Sequence, residues 1–233
     1  MELEIWSDIA CPWCYVGKRR MEAALARFEH RDDVTVTWRS FELDPSAPAE
    51  HGISHAELIA QKYGRTVEQV EAMDAQLTAV AAADGLEMNF AQVRSSNTFD
   101  GHRLIHLAAA HDKQDAMKER LMRAYFTEGA LLSDHDILTA LALEVGLPED
   151  EVREVLLTER HAEEVRDDER AAMSAGISAV PCFVIDRKFG ASGAQDPQVL
   201  LDFLRRGWSA REPAPITMTG GVAEGDACGP EGC

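Results

Sequence analysis

The sequence predicts an α/β fold whose sheet-forming segments lie at the two ends of the chain, with an all-helical block inserted between them. Two observations carry this. Strand-like segments near residues 3–7 and 34–38 recur only near 179–192. The long stretch between them carries repeated helix starts and stops and nothing that reads as strand.

The elements follow in order. Residues 3–7 are a short apolar stretch, and the chain then turns through Asp8-Ile9-Ala10 into Cys11-Pro12-Trp13-Cys14. Val16, Met21, Leu25 and Phe28 recur at roughly helical spacing after it. Pro12 suits a first helical position, where the missing N–H is no loss. In Val34-Thr35-Val36-Thr37-Trp38, apolar residues alternate with threonine, as in a half-buried strand. Residues 44–52 are rich in Pro, Ala and Gly and read as a linker.

Ser54-His55-Ala56-Glu57 and Thr66-Val67-Glu68-Gln69 are capping boxes. The second opens a helix with Val67, Val70, Met73, Leu77 and Val80 on one face, stopping near Gly85. Further helices are expected from Asn97 to His111, through Met117, Leu121 and Tyr125 to Gly129, and behind Ser133-Asp134 with Ile137, Leu141 and Val145. Pro148 opens another, and a charged helix reaches Gly176. Strand character returns over 179–186, with a short partner over 189–192, and Asp196-Pro197 starts a last helix. The expected organisation is a first sheet-forming part over 1–43, a helical insertion over 44–176, a second sheet-forming part over 177–208 and a flexible tail over 209–233.

Composition narrows the partners. Hydrophobic residues make up 45% and charged residues 27% of the 233, an ordinary globular balance. The net charge of −18 argues against nucleic acid and anionic membrane surfaces as partners. The N-terminus lacks a basic signal region, and no apolar run reaches membrane-spanning length, so a cytoplasmic protein is expected. In a reducing compartment the five cysteines, Cys11, Cys14, Cys182, Cys228 and Cys233, are not explained first as structural disulfides.

A C-x-x-C after the first strand of a βαβ pattern reads as a thioredoxin-like redox motif. Exchange needs one thiolate to attack and a second thiol to resolve the mixed disulfide. A cysteine at a helix N-terminus faces unpaired N–H groups and the positive end of the dipole, which lower its pKa. Cys11 is therefore the expected nucleophile and Cys14 the more buried resolving thiol, with no cofactor beyond the redox disulfide itself. Pro12 shapes the turn, and Trp13 offers an apolar surface but not the second charge a histidine would bring. A zinc half-site is the competing reading, and it needs two more ligands. Pro181 has two readings. It opens a groove in which the Val180 N–H and C=O pair with an extended substrate, or it is an edge-strand proline.

The motif Cys11-Pro12-Trp13-Cys14-Tyr15-Val16-Gly17-Lys18, the stretch Ser95-Ser96-Asn97-Thr98 to His102-Arg103-Leu104, and Ala179-Val180-Pro181 through Ile185-Asp186 together resemble the FrnE-like branch of the DsbA superfamily. The resemblance spans roughly residues 2–208. It implies a thioredoxin-like fold with an inserted helical domain, a cis Pro181 facing the dithiol, and disulfide oxidoreductase or isomerase activity on protein thiols. It also implies that the segment holding Asn97 and His102 lies near the dithiol, and it makes glutathione or a thioredoxin system candidate partners. Family members often carry an apolar residue where this chain has Cys182, which reads as a small buried hydrophobe or as a third thiol. Cys228 and Cys233 resemble a tail dithiol. A Gly-rich linker of about 20 residues spans about 22–27 Å, enough for a relay to Cys11. Incidental tail cysteines and half a metal site are the other readings. His102 and His106 have a spacing that can bind metal, but no Glu follows His102, so no metal is expected. The rival function is a glutathione-dependent isomerase or transferase of the 2-hydroxychromene-2-carboxylate isomerase or kappa-class type, which typically holds a serine at the Cys11 position.

Overall fold

The computed structural model describes residues 1–211. The chain runs β1 (Glu2–Ser7), α1 (Pro12–Ala26) and β2 (Thr35–Ser40), then seven helices in succession. These are α2 (His55–Tyr63), α3 (Val67–Ala83), α4 (Phe99–Ala109), α5 (Gln114–Phe126), α6 (His135–Glu144), α7 (Glu149–Leu157) and α8 (Ala162–Ser174). β3 (Cys182–Ile185), β4 (Phe189–Ser192) and α9 (Pro197–Ser209) complete the described part. The expected α/β class, with helices between two sheet-forming ends, is what the structure shows.

The four strands form one sheet in the order β2-β1-β3-β4. β1 is parallel to β2, with Glu2 opposite Thr35 and Ser7 opposite Ser40. β3 is antiparallel to both β1 and β4. Alternation along β1 sorts the two faces. Leu3 and Ile5 enter the main core with Phe183, Ile185, Leu200 and Leu204, whereas Trp6 packs with Cys182 and Ala172 of α8. Trp6 Nε1 also donates to Asp168 O of α8 at 2.9 Å. The sheet is thus covered by α1 and α9 on one side and tied to α8 on the other.

Both capping boxes form, on Ser54 and Thr66, and the Asp134 side chain accepts from the Asp136 and Ile137 N–H groups. Two expectations change. The returning strand begins at Cys182 rather than 179, because Pro181 has no N–H for the ladder. The apolar stripe of α3 is only partly packed into the core: Val70 is buried and Leu77 and Val80 lie half-buried against the main core, but Met73 is 43% exposed. Met73, Leu77 and Val80 also line a cavity.

Candidate active site

Cys11 occupies the N-cap of α1 with extended backbone (φ −95°, ψ 110°), and Pro12 is the first helical residue. The motif's local order follows from this. The Cys14 N–H donates to Cys11 O at 3.0 Å and the Tyr15 N–H to the same oxygen at 3.3 Å. One helical turn brings the two thiols into hydrogen-bond reach of each other. Both are free, and both are buried. Trp13, between them in sequence, points outward and is 45% exposed.

Pro181 closes the other side. The Val180–Pro181 bond is cis, and Val180 O accepts from Cys11 Sγ at 3.7 Å. Gly17 makes this approach possible, since a Cβ there would lie 2.8 Å from Pro181 Cγ. Cys182, by contrast, belongs to the separate cluster with Trp6 and Ala172, where burial pushes its thiol up. It is a packed residue on the α8 side of the sheet.

The expectation of a lowered Cys11 pKa does not hold for this dithiol. The hydrogen bond with Cys14, burial and charge on Cys14 all push Cys11 up, and the backbone N–H of Cys14 opposes them. The helix start favours an anion at Cys11, but here burial and the neighbouring thiol outweigh it.

Beneath the dithiol lies a buried polar cluster drawn from three elements. Asp8 accepts from the Leu43 N–H at 2.8 Å, Thr98 Oγ1 at 3.0 Å and His102 Nε2 at 3.3 Å. Burial raises its carboxyl, but His102, Leu43 and Lys118 together hold it below the usual range. Burial lowers His102 despite Asp8. Lys118 of α5 is wholly buried and donates to Ser7 O at 3.0 Å.

His102 therefore lies behind Asp8, one step from the dithiol. Asn97 is turned elsewhere, its amide donating to Ala47 O and its Oδ1 accepting from the Phe99 N–H. His106 binds Ser40 and Asp168, so the two histidines serve different carboxylates. Cys228 and Cys233 lie outside the described residues.

A cavity of about 580 Å³ opens on Cys11. Ala10, Pro12 and Trp13 form one wall; Leu58, Tyr63, Met73, Leu77 and Val80 form the other. The remaining lining includes Ser95, Ser96, Thr98 and Tyr125, and Ser96 Oγ is buried with no hydrogen-bond partner among the described residues. His55 and Asp74 face each other across 3.7 Å within it. Burial lowers His55, while burial and then Glu71 push Asp74 up to about 6. A second concavity, of about 670 Å³, is lined by charges already paired with one another, such as Arg19 with Glu119 and Arg120 with Glu144.

Sequence reasoning missed Asp8, Lys118 and the cavity. Lys118 had a signal: it shares the face of Leu121, Met122 and Tyr125 at helical spacing, where a charge is out of place. The α3 stripe signalled the cavity but reads equally as core.

Residues 2–205 match the profile of the DsbA-like thioredoxin domain. A Bacillus subtilis (strain 168) protein, "Uncharacterized protein YwbO", is 30% identical over 190 residues, 79% of this chain and 86% of that one. The crystal structure of "probable DsbA oxidoreductase SCO1869" from Streptomyces coelicolor superposes with a TM-score of 0.88 at 43% identity, covering 100% of this chain and 98% of the other. The "cytosolic disulfide reductase DsbM" of Pseudomonas aeruginosa shares the fold at a TM-score of 0.62 and 20% identity, over 90% of this chain and all of that one. Another solved structure of DsbM holds GSH. A 2-hydroxychromene-2-carboxylate isomerase likewise shares the fold, at 0.65 and 13%, over 91% and 97%.

Proposed function

This chain belongs to the DsbA-like thioredoxin domain family, and from that premise we propose that it is a thiol–disulfide oxidoreductase acting on protein dithiols through Cys11 and Cys14. One observation carries the reading: two free thiols within mutual reach at a helix start, the first of them opening on a cavity. Cys11, as thiolate, attacks a substrate disulfide and forms a mixed disulfide. Cys14 attacks Cys11 Sγ, releases the substrate thiol and leaves the Cys11–Cys14 disulfide. The reverse sequence oxidises a substrate dithiol. In this reading the Val180 C=O, which lies beside Cys11, accepts from an extended substrate's N–H.

Recycling by glutathione or a thioredoxin system, a cytoplasmic setting, and exchange between the first dithiol and Cys228/Cys233 belong to the same reading. No described helix is long and apolar enough to cross a membrane. The rival, a glutathione-dependent isomerase or transferase, needs no resolving thiol, and Cys14 has no role in it.

The test is insulin reduction and reactivation of scrambled ribonuclease. Cys11→Ser is expected to fall to the uncatalysed background, and Cys14→Ser to accumulate a mixed disulfide with substrate. Full turnover of a glutathione-dependent substrate by Cys11→Ser, with no disulfide activity in the wild type, overturns the proposal in favour of the rival. A Cys228→Ser/Cys233→Ser double variant with unchanged turnover on protein disulfides removes the tail relay.

A further inference from the structure

The cavity that opens on Cys11 is mostly apolar, and its charges are unbalanced. Leu58 and Tyr63 of α2 and Met73, Leu77 and Val80 of α3 form one wall. Asp8, Asp44 and Asp74 also line it, and among the described residues Lys62 is the only lysine or arginine that does. Two of the three acids are engaged. Asp8 accepts from Leu43, Thr98 and His102. Asp44 accepts from the Ser46 N–H at 3.2 Å and the Ser46 hydroxyl at 2.8 Å.

Asp74 is different. Its carboxylate accepts no hydrogen bond among the described residues, and Thr78 Oγ1 donates to its backbone oxygen instead. The nearest basic group is His55 Nε2 at 3.7 Å, beyond hydrogen-bond length. The His55 ring is held against Phe90, with centroids 5.2 Å apart. Burial lowers His55, so it is uncharged at neutral pH, whereas Asp74, at about 6, is ionised. A half-buried carboxylate in an apolar wall, without a donor, favours a particular occupant. An apolar ligand strips its remaining water and leaves it unpaired. An anion adds repulsion. A long apolar stem ending in a cation satisfies both the wall and the carboxylate, and lysine and arginine side chains are built that way.

We propose that Asp74 sets the substrate preference of this cavity: it binds the charged head of a lysine or arginine that flanks the reacting cysteine of a protein substrate, with the stem lying along the α2–α3 wall. This rests on the proposed thiol–disulfide exchange at Cys11 and names the kind of protein segment that exchange selects. The charge of the whole molecule agrees with it, since a net charge of −18 draws basic segments toward the protein and disfavours acidic ones. Trp13 and Met73, both exposed and both lining the cavity, offer further apolar surface to the stem.

The test uses single-cysteine peptides, each supplied as its symmetric disulfide and differing only in the residue beside the cysteine: lysine, norleucine or glutamate. Reduced protein opens one peptide disulfide, releases two peptide thiols and keeps the Cys11–Cys14 disulfide, so a single turnover needs no other reductant. Rates are divided by those with dithiothreitol, which removes the intrinsic reactivity of each peptide. The lysine peptide is expected to half-saturate the protein at a concentration about tenfold lower than norleucine, the scale of one hydrogen bond to a charged group, with a similar limiting rate. The glutamate peptide is expected to half-saturate it at a higher concentration than norleucine. Asp74→Asn is expected to abolish the lysine preference and leave the norleucine peptide unchanged. Glu68→Gln, which removes an exposed carboxylate of α3 outside the cavity, is expected to keep the preference. A preference that survives Asp74→Asn, or falls equally in Glu68→Gln, belongs to the overall field and overturns the proposal. Should Asp74→Asn fail to fold, the wild type decides, and equal half-saturation by the lysine and norleucine peptides sinks the idea. If no peptide disulfide exchanges at all, the underlying function fails instead. Calorimetric binding of the same peptides with serine in place of cysteine then judges the subsite by itself: tighter binding of the lysine peptide supports it, and equal binding refutes it.

Discussion

At the scale of single residues, the chemistry depends on how closely the Pro181 loop approaches α1. Gly17 sets that distance. In a helix interior alanine is favoured over glycine by about 1 kcal/mol, so propensity alone predicts that Gly17→Ala stabilises. The new Cβ, however, meets the Pro181 ring at 2.8 Å, and forced overpacking costs about 1–3 kcal/mol. The clash is expected to win. Pro181 and Val180 O move away from Cys11, and insulin reduction falls on the order of 10- to 100-fold, the scale of a small misplacement at a reacting centre. Activity assays beside a melting curve check this. A variant that melts higher and turns over normally shows that the loop's contact with α1 does not position the site.

At the scale of elements, α3 explains both what the sequence disclosed and what it hid. Its capping box and apolar stripe were legible because both are local. Whether the stripe met the core or a void depended on α2, the Ser95–Thr98 segment, Tyr125 of α5 and the Cys11 turn, which come from other parts of the sequence. The same division applies to the site. Cys11, Cys14 and Pro12 are adjacent in the chain, so their geometry could be derived from a strand followed by a helix. Pro181 stood out because a proline interrupts strand character. Asp8 looked like an ordinary turn residue, and only the fold brings Thr98 and His102 to it. If the cavity seats the substrate, filling it from α3 must hurt. Leu77→Trp is expected to lower kcat/KM on protein disulfides about tenfold or more, with stability unchanged or higher, because apolar volume enters an apolar space. Unchanged kcat/KM on both insulin and a small aromatic disulfide means that substrates bind outside it.

For the whole molecule, the joint between the sheet and α8 is carried by buried charge as well as by apolar packing. Asp168 of α8 accepts from the Ser40 N–H and from Arg39, and Arg166 of α8 pairs with Glu42 just beyond β2. Glu42 is the weak point. Burial raises its carboxyl most, Arg166 opposes, and Glu169 adds to the rise, leaving it at about 7. Glu42 Oε1 is buried with no hydrogen-bond partner among the described residues. A folded-state pKa above the unfolded value of about 4.3 means that the native protein binds the extra proton between those two points. Stability from this group therefore falls as pH rises from about 4.3 to about 7, and levels off above. The Arg166 side chain, 37% exposed, lets solvent screen the pair, which reduces the effect to on the order of 1–2 kcal/mol. Glu42→Gln removes the titration. Whatever constant offset the amide introduces, the variant's melting temperature relative to wild type is expected to climb between pH 4.5 and 7 and stay flat from 7 to 9. A difference independent of pH, or one that shrinks as pH rises, shows that Glu42 is charged throughout this range and that the joint to α8 tolerates its charge.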